Sequence, residues 1–139
     1  MSRVLRVSKA QWAAVALSTV AVVWMLAPTF PMTWGISPTE TLVTWHSWAD
    51  PLALGYALFS PVVLVAAVVA AVVGWLGALR RRATFAPAVC CLVAVGLASL
   101  LFAIIGLHAL SIVPVVLLLL SGALQWIAVR RSRADAAHG

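Results

Sequence analysis

The stretch VVGWLGALRRRATFAPAVCCLV, Val72 to Val93, sets three consecutive arginines between two uncharged runs. A short cationic turn between apolar runs is how a chain doubles back at a lipid surface. The helices stay in hydrocarbon and the guanidinium groups stay in water. Reading outward tests this. Upstream, Pro51 to Leu79 contains no Asp, Glu, Lys, Arg or His, and neither does Phe85 to Gly106 downstream. Each run reaches the length of about 20 residues that crosses a hydrocarbon core.

The whole chain fits the same reading. Of its 139 residues 65% are hydrophobic and 9% charged, with a mean hydropathy of +1.13. A soluble domain of that size needs more polar surface. The expected fold is therefore an all-α integral membrane protein, a bundle of four transmembrane helices. Its parts are an N-terminal tail (1–11), helix one (12–27), an outer loop (28–50) and helix two (51–79). An arginine loop (80–84), helix three (85–106), an outer turn (107–111), helix four (112–129) and a C-terminal tail (130–139) follow.

All nine Lys and Arg residues fall in the two tails or the arginine loop, whereas the outer loop holds Glu40 and Asp50 and no cation. The positive-inside rule then places both termini in the cytoplasm, in a cell inner (plasma) membrane. Tryptophan favours the headgroup zone, and the seven indoles follow these boundaries. Trp12, Trp75 and Trp126 fall at inner ends, and Trp24, Trp34, Trp45 and Trp48 at or beyond outer ends. Arg3, Arg6 and Lys9 before an apolar run also suit a signal peptide. The run ends Trp24-Met25-Leu26-Ala27-Pro28, without the small residues of a cleavage site, so it is expected to remain as an anchor. Eight arginines to one lysine, no asparagine and abundant alanine and valine suggest a bacterial genome rich in G and C.

In the outer loop, Ser37-Pro38-Thr39-Glu40 matches a capping box with proline at the first helical position. It predicts a short amphipathic helix with Leu42, Trp45 and Ala49 on one face and Glu40, Thr44 and Ser47 opposite. The β-branched Thr39, Thr41, Val43 and Thr44 weigh against it. Asp50 is placed to cap helix two, with Pro51 at its first position. Fully helical, those 29 residues would span about 43 Å against a core of about 30 Å, so a tilt or a kink near Pro61 is expected.

Lipid gives helices no hydrophobic reason to associate, so small residues must let backbones approach. Ala66, Ala70, Gly74 and Ala78 recur every four residues in helix two, and Ala86, Cys90, Ala94 and Ala98 in helix three. These two faces are expected to pack together. Arg80, Arg81, Arg82, Arg130, Arg131 and Arg133 are expected to meet anionic lipid headgroups, since no folded soluble face is present to carry a nucleic-acid site.

Catalytic, cofactor and metal sites are not expected. Cys90 and Cys91 point about 100° apart on a helix, which disfavours a disulfide, and read as packing residues. Serines such as Ser60, Ser99 and Ser121 have no evident base. Small multidrug-resistance exporters share the size and helix number but depend on a glutamate in the first helix, and Ala13 to Ala27 has none. The leading expectation is a non-enzymatic scaffold, assembly factor or accessory subunit. Its protein partner, or a second copy, would meet the helix faces and an outer loop displaying Trp34, Trp45, His46 and Trp48. The alternative is a small transporter, or the membrane subunit of one, for a neutral or lipophilic solute, using Gln125 or Ser99. A third reading is a metal or redox role for His46, His108 and Asp50.

Overall fold

The computed structural model describes residues 8–50, 59–105 and 108–137. Helix α1 (Lys9–Leu26) starts where the Ser8 hydroxyl accepts the Gln11 N–H at 3.2 Å, and Ala27 leaves it in extended conformation just before Pro28. Strands β1 (Phe30–Ser37) and β2 (Glu40–His46) follow, then α2 (Phe59–Leu79), α3 (Ala86–Ile105) and α4 (Ala109–Ala137). All four helices are long and apolar enough to cross a membrane. The chain therefore has the make-up of a multi-pass membrane protein.

Helix α1 packs beside α2 and α4, and α3 completes the ring between them. The ends show that neighbours run antiparallel. Trp12 of α1 meets Trp75 of α2 edge-on at 5.7 Å, and Phe85 lies 4.7 Å from Trp126 of α4. At the other end the Trp24 indole donates to the Leu110 carbonyl, and the Ser111 hydroxyl to that of Thr29. One end thus carries the arginines and the other the hairpin.

The segment expected as an amphipathic helix is that hairpin. Strands β1 and β2 pair antiparallel from Phe30↔His46 to Ser37↔Glu40, with an irregularity between Gly35 and Ser37. The Ser37 hydroxyl does accept the Glu40 N–H, at 3.1 Å, as a capping box requires. Here the bond closes a turn around Pro38 and Thr39. What decides between the outcomes is the flanking chain. Thr33, Ile36, Thr41, Val43 and Thr44 are β-branched, and the indole of Trp34 reaches across to Thr44 Oγ1 at 2.8 Å.

One helix end also differs from expectation. Helix α4 runs through Val129 to Ala137 and is about 43 Å long from its 29 residues. Arginine and alanine are strong helix formers, and cations suit a helix C-terminus. Helix α2 is described from Phe59 and includes Pro61. The expected cap at Pro51 and the chain before the expected kink lie outside the described residues. Asp50 itself accepts the Ser47 N–H at 2.8 Å and so closes the turn that precedes it.

Pro114 lies inside α4. It has no N–H for the carbonyl of Leu110 one turn back, and the Trp24 indole supplies the missing donor at 3.1 Å. The end of α2 is closed by paired bonds, Arg82 N–H to Gly77 and Arg81 N–H to Ala78, with Arg81 at φ 52°. A Cβ on Gly77 would sit 3.1 Å from the Arg82 carbonyl, so glycine permits this close return. Gln11 of α1 donates to the same carbonyl at 3.1 Å, tying α1 to the loop.

Small residues fill the centre. Ala70, Gly74, Ala78, Ala94 and Ala98 are buried, Ala66 and Cys90 are half-buried against them, and Ala86 at the start of α3 is exposed. Helices α2 and α3 are neighbours, but Gly74 looks toward Val15 of α1 and Gln125 of α4, so the stripe on α2 serves more than one partner.

Candidate functional site

The hairpin rises at the end of the bundle opposite the arginines. Its charge is nearly nil, with Glu40 alone among the ionised side chains on the strands. Ile36 is 63% exposed, Trp45 is 50% exposed, and Leu42 and Val43 are close to half exposed. Trp34, Thr44, His46 and Asp50 form a chain of polar groups at its base. The Trp34 indole donates to Thr44 Oγ1, which lies 2.7 Å from His46 Nε2, while His46 Nδ1 stands 3.8 Å from Asp50 Oδ2. The first two contacts are hydrogen bonds, and the last is too long to be one. The network therefore braces the strand pair and orients the imidazole.

Trp48 has a different role from the one expected. It is fully buried, its backbone N–H donates to the Met25 carbonyl at 2.9 Å, and its ring meets Phe102 edge-on at 5.9 Å. It plugs the bundle end. The Trp48-to-Asp50 turn then leads back to α2, where the Ser60 hydroxyl donates to the Asp50 carbonyl at 3.3 Å. The hairpin is thus anchored on α1, α2 and α3 by residues that flank it, leaving its strands outside.

Trp45 packs edge-on against His108 at 5.7 Å, yet His46 and Asp50 do not gather His108 into one cluster. Among the described residues, no group of three His, Cys, Asp or Glu side chains is placed to hold a metal ion. Cys91 lies 3.9 Å from Ser121, whose hydroxyl donates to the Ala14 carbonyl at 2.7 Å. These groups knit α1, α3 and α4 together. Ser99 is exposed and bonds to Val95 of its own helix, away from the core, whereas Gln125 is buried beside Gly74.

Sequence reasoning placed Trp34, Trp45 and His46 in this region and named His108 as a possible companion of His46 and Asp50, but it put Thr44 on a helix face and missed its bonds to Trp34 and His46. The alternation Met32, Trp34, Ile36 and Leu42, Thr44, His46 is the strand signal that would have found Thr44. At the arginine end, Arg130 lies 5.4 Å from the centre of the Trp126 ring and Arg133 lies 4.6 Å from that of Phe85. In comparisons with known proteins, no family model, curated protein or solved structure matches this chain.

Proposed function

We propose that the protein is a non-enzymatic multi-pass component of a bacterial plasma membrane, a scaffold or accessory subunit that meets a protein partner through its hairpin. The arginine end lies in the cytoplasm, as the positive-inside rule requires, and the hairpin faces outward. One observation carries the reading. A nearly uncharged strand pair exposes Ile36, Leu42, Val43 and Trp45 while its anchoring residues are buried elsewhere. Apolar and aromatic groups on a rigid base are what protein contacts are built from. Among the described residues the sheet has two strands and no third, and a two-stranded ribbon gains stability from a further strand.

Site-specific photocrosslinking in intact cells tests this. A crosslinker at Val43 is expected to yield a discrete protein adduct, while one at the exposed Leu92 of α3 yields lipid. Lipid adducts alone at both positions would overturn the docking role. A reporter fused after Gly139 and active outside the cell would overturn the orientation instead.

A further inference from the structure

The arginine end concentrates positive charge without neutralising it. Among the described residues no arginine lies within ion-pair distance of a carboxylate, and the one contact of an imidazole with a carboxylate, His46 with Asp50 at 3.8 Å, is at the far end of the molecule. Asp135, on the last turns of α4, engages none of its arginine neighbours. Two of the guanidinium groups are ordered by rings instead. Arg130 stands 5.4 Å from the centre of Trp126, Arg133 stands 4.6 Å from that of Phe85, and the two rings are 4.7 Å apart. The stack runs Arg130, Trp126, Phe85, Arg133 and joins the entry to α3 with the extension of α4.

A ring face restrains a guanidinium but takes up few of its N–H donors, which stay in the plane. A carboxylate would have occupied them. Below the stack, α4 exposes Leu119, Leu120 and Ile127, and an acyl chain has an apolar face to follow. The ligand that matches both halves is an amphiphile with an anionic head.

We propose that the Arg130–Arg133 stack is a structured site for the phosphate of an anionic phospholipid in the leaflet at the arginine end. It rests on the helices lying in a bilayer and is independent of what meets the hairpin. The ordered planar donors bind the phosphate in forked geometry, so stacking contributes to affinity beyond charge.

The test uses the full chain reconstituted in nanodiscs of equal phosphatidylglycerol and phosphatidylcholine, extracted in mild detergent, with the retained lipid quantified. Wild type is expected to retain phosphatidylglycerol in excess. Phe85→Leu leaves every charge in place, and the excess is expected to fall about two- to fivefold, the worth of one exposed cation–π contact. Arg133→Lys keeps the charge but loses the planar fork, and is expected to fall by a similar factor. Unchanged helix content by circular dichroism shows that both variants are folded. A Phe85→Leu protein with the wild-type excess would overturn the structured site in favour of diffuse charge. Equal retention of both lipids would overturn anionic recognition. Displacement of the lipid by glycerol phosphate at matched concentration would overturn the membrane as source.

Discussion

The two ends of the bundle are closed by different means. At the hairpin end the chain travels from α1 through a strand pair and drives Trp48 into the core against Phe102. That closure depends on residues more than 50 positions apart. At the arginine end, the α2–α3 turn is closed by backbone bonds from Arg81 and Arg82 to Ala78 and Gly77, and the aromatic groups Trp12, Trp75 and Trp126 remain about two-fifths exposed. One end is held by burial and the other by turn geometry with exposed rings. The long connection is fixed in place by tertiary burial and the short one by its own backbone bonds.

Trp48→Ala is the largest expected blow to this contrast. Removing a fully buried indole costs about 3–5 kcal/mol in a well-packed core. Trp75→Ala, at the other end, removes a half-exposed ring and one hydrogen bond to Thr19 Oγ1, and costs about 1 kcal/mol. Unfolding in mixed micelles with increasing dodecyl sulfate, followed by circular dichroism, compares them directly. Equal losses would mean that the ends are not held differently.

A finer test lies on the hairpin side. If the Trp24 indole serves the carbonyl that Pro114 leaves unpaired, Trp24→Phe costs about 1 kcal/mol in the native chain. In a Pro114→Ala background the helix supplies its own N–H to Leu110, and the same substitution should cost much less. The double-mutant cycle measures this coupling. Additive effects would reduce the indole to an incidental neighbour.

How much of this was legible follows from the range of each interaction. The four helices were readable because length, apolar composition and arginine-bearing ends are local properties, and each lies where its run lies. The hairpin was misread because Ser37 makes the same bond to the Glu40 N–H in a capping box and in this turn. Four residues do not distinguish them. The β-branched Thr41, Val43 and Thr44 carried the deciding signal and were outweighed. Trp48 was grouped with exposed tryptophans because burial depends on Met25 and Phe102, which no local pattern links to it. The extension of α4 was cut at Val129 because arginines end a membrane span, but they do not end a helix.

The smallest effect expected is a gain, at the arginine end. Arg81 holds φ 52°, where a side chain costs about 1–2 kcal/mol and glycine costs nothing sterically. Glycine also loosens the unfolded chain, which returns about 0.5–1 kcal/mol of the advantage. Arg81→Gly should therefore stabilise the fold by about 0.5–1 kcal/mol in the same micelle titration. Arg81→Ala removes the same charge and keeps the strain, so it should show no gain. The difference between the two isolates the backbone from the guanidinium. A residue left in a strained turn despite an available stabilising change points to the charge as what that position provides. If alanine and glycine behave alike, the turn is relaxed around Arg81, and closure at this end depends on the Gln11 bond to Arg82 rather than on the turn itself.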